Sequence, residues 1–61
     1  MELSELIDNW VRGERDRKIM KRRLIDRIRI EPLAEEFELS VQWVQIIVSK
    51  NTKILSKKIV K

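Results

Sequence analysis

Leu33-Ala34-Glu35-Glu36-Phe37-Glu38-Leu39-Ser40-Val41-Gln42-Trp43-Val44-Gln45-Ile46-Ile47 is the stretch on which the fold turns. Leu33, Ala34 and Phe37 recur at helical spacing and form a short buried stripe. Pro32 is tolerable only in a first helical turn, where its missing N–H would have no intrahelical partner. This short helix therefore starts near Ile30 or Glu31 and covers about residues 31–37. Ser40 is a good N-cap for a following helix, since its hydroxyl accepts from an amide with no helical partner. Val44 and Ile47 anchor that second helix, Leu39 plugs the turn into the core, and the small Ala34 lets the two helices cross closely. A short helix, a turn of about three residues and a capped second helix is the spacing of a helix-turn-helix.

Downstream, the capped helix is expected over about residues 41–59. Val44, Ile47, Val48, Asn51, Ile54 and Leu55 form its inward stripe. Asn51 interrupts the stripe, so the helix is expected to bend or fray from there. Upstream, Leu3, Leu6, Ile7, Trp10 and Val11 lie at i, i+3, i+4, i+7 and i+8, one helical face over about residues 3–12. Gly13 follows as its C′ residue, and Arg12 sits where the macrodipole favours a base. Another helix is expected over about residues 14–28, with Ile19, Met20, Leu24, Ile25 and Ile28 inward and Arg15, Lys18, Arg22 and Arg29 outward. The predicted fold class is all-α: one small four-helix domain over residues 1–61, containing the helix-turn-helix.

At 61 residues the core is near the lower size limit for folding without staples. Cysteine and histidine are both absent. That removes disulfides, thiolate metal sites, the commonest zinc ligand and the commonest general base. Gly-rich phosphate loops and nucleophile–base pairs are missing too. Glu35 and Glu36 are no carboxylate dyad, because adjacent helical residues point about 100° apart. The expected protein is not an enzyme and takes no cofactor or metal. Apolar runs such as Ile46–Val48 are far too short for a membrane span or signal core, so no membrane partner and a cytoplasmic location are expected.

The net charge of +4 matters less than its placement. Residues 1–11 carry −3 (Glu2, Glu5, Asp8) and residues 30–49 carry −4 (Glu31, Glu35, Glu36, Glu38). Residues 12–29 hold nine bases against Glu14, Asp16 and Asp26, and residues 50–61 hold five lysines and no acid. Three acids leave most of the nine bases unpaired, apart from i,i+4 pairs such as Arg22 with Asp26. Basic blocks of this kind favour polyanions such as nucleic acid.

Arg17-Lys18-Ile19-Met20-Lys21-Arg22-Arg23-Leu24-Ile25-Asp26, then Leu33-Ala34-Glu35-Glu36-Phe37 and Leu39-Ser40, resembles region four of bacterial sigma factors. Val44 to Lys50 and Lys53-Ile54-Leu55 continue the likeness, which spans roughly residues 14–56 and extends to many small bacterial and phage regulators. It implies a helix-turn-helix that binds promoter-like double-stranded DNA. Where that family usually carries glycine, this chain has Arg27 and Glu38, and a left-handed Glu38 costs on the order of 1 kcal/mol.

The resemblance sets Gln42, Trp43, Gln45, Ile46, Ser49 and Lys50 toward bases, and Arg27, Arg29 and Lys53 near phosphates, together with Arg22 and Ser40. Glutamines read adenine edges, and Trp43 or Ile46 would meet thymine methyls. The expected function is sequence-specific DNA binding by a transcriptional regulator of phage or mobile-element type. The alternative is a protein-interaction module on the same scaffold that binds or inhibits a nucleic-acid-handling protein such as RNA polymerase. The acidic third helix and the outward Trp43 and Ile46 motivate that alternative. A homodimer is also expected, through Leu3, Leu6, Trp10, Ile54 and Ile59, unless those residues close the monomer core instead.

Overall fold

A computed structural model describes residues 2–59, for Ile59 the backbone alone. Four helices follow one another: α1 (Leu3–Trp10), α2 (Glu14–Leu24), α3 (Ile30–Glu36) and α4 (Val41–Ile59). No strand occurs among the described residues.

Two apolar clusters share the α2 and α4 walls. Ile19, Leu33, Ala34, Val44 and Ile47 form one, with Ile28, Ile30, Phe37, Leu39 and Val48 packed on it. Ile7, Val11, Met20 and Leu55 form the other, bordered by Leu3, Leu6, Leu24 and Val48. Ile19 and Met20 serve different clusters because neighbouring helical residues diverge by about 100°. Val48 touches both and joins them. Leu3 and Leu6, half-buried, thus help close the monomer core, the other role expected of them. The side chain of Ile59, named with them for the dimer surface, lies outside the described residues.

α1 stops at Trp10, before the expected Arg12. The Val11 N–H still reaches the Ile7 carbonyl at 2.9 Å, but the backbone there is extended. Gly13 is therefore not the C′ residue of α1. With φ +88 it is the N-cap position of α2, and its carbonyl accepts the Arg17 N–H at 3.0 Å. Arg17 Nε donates to the Val11 carbonyl at 2.9 Å, tying the connection to α2.

α2 ends at Leu24, four residues short of the expected Ile28. The chain leaves the helix through Arg27, whose φ is +59, and Ile28 N–H returns to the Arg22 carbonyl at 3.1 Å. The helical periodicity of Ile25 and Ile28 was misleading. Ile25 is exposed, whereas Ile28 reaches the core from the connecting loop.

α3 closes with the paired bonds of a Schellman motif: Leu39 N–H to the Ala34 carbonyl at 2.9 Å, and Glu38 N–H to the Glu35 carbonyl at 3.2 Å. Glu38 occupies the left-handed position at φ +55. Ser40 then caps α4, its Oγ accepting the Trp43 N–H at 3.1 Å. α4 continues past Asn51 to Ile59. Buried Asn51 donates from Nδ2 to the Ile47 carbonyl at 2.8 Å, so its own helix satisfies it.

Two non-glycine residues in the left-handed region carry strain that glycine lacks. Arg27→Gly and Glu38→Gly are each expected to stabilise by up to about 1 kcal/mol, after glycine's extra unfolded-state entropy. That corresponds to about 4–8 °C per kcal/mol in a domain of this size. Thermal melts followed by circular dichroism check it, and a lowered Tm for Glu38→Gly contradicts it.

Candidate nucleic-acid interface

α4 carries three adjoining stripes. Val44, Ile47, Asn51 and Leu55 are buried. On the far side, Gln42, Gln45, Ile46, Ser49, Lys50 and Lys53 line one open hollow, and all six are exposed. Their spacing is i, i+3, i+4, i+7, i+8 and i+11, a single continuous helix face. Between these two lies a third stripe, Trp43, Ile46, Ile47, Lys50 and Ile54, which forms one wall of a cleft. Trp10, Arg12, Arg15 and Asp16 form the opposite wall.

Five of the six residues expected to face bases thus share the outward hollow, and Lys53 joins them. Trp43 does not. Its ring lines the neighbouring cleft, where it meets residues of the α1–α2 junction that sequence reasoning did not combine with it. Trp10 and Arg12 had been placed at the end of α1, and nothing local in the sequence joins them to α4.

The expected surplus of free bases on α2 is corrected. Lys21 Nζ lies 2.8 Å from an Asp8 carboxylate oxygen of α1, and Arg22 Nη2 lies 3.0 Å from a Glu36 oxygen of α3. Arg22 Nη1 also meets Asp26 at 3.2 Å. Arg15 pairs with Asp16 and Lys18 with Glu14, at 3.5 and 3.8 Å. Arg17 and Arg23 donate to the carbonyls of Val11 and Ile28. Asp8 and Glu36 come from outside the basic block, and that is why counting charges within it failed.

The hydrogen bonding that the Arg22 guanidinium donates to the Glu36 carboxylate is the main reason its pKa is held above the ordinary value. Arginine is charged at all accessible pH in any case, so the consequence is geometric: Arg22 is oriented toward α3. Ser40 Oγ is engaged as a cap. Among the residues expected near phosphates, Arg27, Arg29 and Lys53 are exposed and make no ion pair among the described residues.

No group of side chains suited to a metal ion occurs among the described residues. No helix there is long and apolar enough to cross a membrane. Comparison with family models, curated proteins and solved structures returns no match. The functional reading therefore rests on the chain's own geometry and charge.

Proposed function

We propose that this chain is a sequence-specific binder of double-stranded DNA, of transcription-regulator type, which lays α4 in the major groove as the second helix of a helix-turn-helix. One observation carries the reading: Gln42, Gln45, Ile46, Ser49, Lys50 and Lys53 stand together on the exposed face of α4. A major groove about 12 Å wide admits a helix, and glutamine amides pair with adenine N6 and N7. Ile46 is apolar and more than half exposed, suited to a thymine methyl. Lys50 adds a donor for guanine, while Arg27, Arg29 and Lys53 supply phosphate contacts that hold the register.

Titration of the full chain into duplex DNA at two salt concentrations tests this. Three phosphate contacts give a log–log slope of roughly −2.7, a loss of about 40-fold in affinity between 50 and 200 mM salt. A selection from random duplexes is expected to enrich one motif. Absence of binding at low salt, or binding indifferent to salt, refutes the proposal.

A further inference from the structure

The cleft between the α1–α2 junction and α4 adjoins the glutamine face and shares Ile46 and Lys50 with it, but Trp10, Arg12, Arg15 and Trp43 on its lining play no part in the proposed DNA contact. It encloses about 240 Å³. Trp10, Trp43, Ile46, Ile47 and Ile54 supply its apolar surface, and Arg12, Arg15 and Lys50 its positive charge. Asp16 is the lone acid on the lining, and Arg15 Nε already lies 3.5 Å from its carboxylate. Three of these apolar groups are poorly covered: Trp10 is 44% exposed, Trp43 46% and Ile46 54%. A Lys58 ammonium sits 4.0 Å from the centre of the Trp10 ring and brings another positive charge beside the cleft.

We propose that this cleft docks an acidic segment of a partner protein, which inserts one bulky apolar side chain between Trp10 and Trp43 and sets carboxylates against Arg12, Arg15 and Lys50. The volume falls below the roughly 300–1,000 Å³ of small-molecule sites. It suits a side-chain anchor better than a whole cofactor. Exposed tryptophans and arginines around a recess are the groups that dominate protein interfaces. Duplex DNA offers negative charge but no apolar knob to fill the recess.

A second copy of this chain fits less well. Its acids fall mainly in two groups, Glu2, Glu5 and Asp8 at α1 and Glu31, Glu35, Glu36 and Glu38 at α3, and in these Asp8 is already bound to Lys21 and Glu36 to Arg22. Joining α3 to this cleft is also a head-to-tail contact, which leads to open chains unless the rotation closes into a ring.

The test is selection of displayed random linear peptides on the full chain, compared with an Arg12→Glu, Arg15→Glu variant. Both arginines are exposed, and retention of the helical circular dichroism spectrum confirms that the variant folds. Expected winners combine one aromatic or large aliphatic residue with flanking Asp or Glu. Synthetic versions of them lacking tryptophan shift the fluorescence of Trp10 and Trp43. Their affinity falls at least tenfold for the charge-reversed variant and for Trp10→Ala, and also when their acids are replaced by Asn and Gln.

Three results overturn the proposal. One is no enrichment over the variant. Another is winners that are neutral or basic. The third is a dimer of the native chain, seen by light scattering, that the variant abolishes, since the occupant is then a second copy. A failure of DNA binding leaves all these readouts intact, so the two proposals fall separately.

Discussion

Ile19→Ala is expected to leave the chain largely unfolded near 37 °C. Ile19 is fully buried on α2 and packs in one cluster with Leu33, Ala34, Val44 and Ile47. These come from α3 and α4, so the cavity opens where three helices meet. Truncation of a buried isoleucine to alanine costs about 2–5 kcal/mol. A core in a chain this short supplies on the order of 3–5 kcal/mol in total. The loss therefore consumes most of the net stability, and a cooperative thermal transition should vanish or drop by more than about 8 °C. Ile25→Ala is the control: Ile25 lies six residues further on, just past the end of α2, and is exposed, and its change should stay within about 0.5 kcal/mol. Equal melting shifts for the two variants would show that the core has been misplaced.

The second large effect concerns the DNA proposal. Arg29→Glu combined with Lys53→Glu removes two of the three cations assigned to phosphates and puts like charges in their place. The salt slope should fall from roughly −2.7 to roughly −0.9, and low-salt affinity should drop on the order of 10²-fold for every sequence alike. Gln45→Ala acts differently. It removes a base-edge contact worth about 1–3 kcal/mol and relaxes preference at one position, with the salt slope unchanged. Fluorescence anisotropy on a selected duplex and on a shuffled one separates these behaviours. An Arg29, Lys53 variant that binds as tightly as the native chain moves the interface off α4.

Much of the architecture was legible because it depends on local rules. The sequence pattern predicts four helices, and four occur among the described residues. The start of the last was set by Ser40, whose side chain needs only the amide three residues on. The inward stripe Val44, Ile47, Val48, Asn51, Ile54 and Leu55 follows from a period of 3.6 residues, with Ile54 at its edge, half-buried on the cleft wall. The outward face of Gln42, Gln45, Ile46, Ser49, Lys50 and Lys53 is the complement of that stripe, so it too could be drawn without coordinates.

The errors share one origin. Apolar spacing alone carries α2 through Ile28, but Ile28 contacts the core from a loop that turns at Arg27. No periodicity distinguishes an inward loop residue from an inward helical one. Gly13 was assigned to the end of α1, while its positive φ begins α2 instead. Glycine signals a sharp turn but not which helix the turn belongs to. Within its own stretch of sequence the basic block has only three acids to pair with. Asp8 and Glu36 reach it across helix interfaces.

By itself the amino-acid order determined the helical class, the cap at Ser40 and which side of α4 meets solvent. These follow from hydrogen bonds and side-chain periodicity within a few residues of each position. Tertiary packing alone decided which arginines remain free, and that Trp10, Arg12 and Arg15 meet Trp43 and Lys50 around one cleft. Those partners are separated by about thirty residues of chain, and only the burial of the two apolar clusters brings them together.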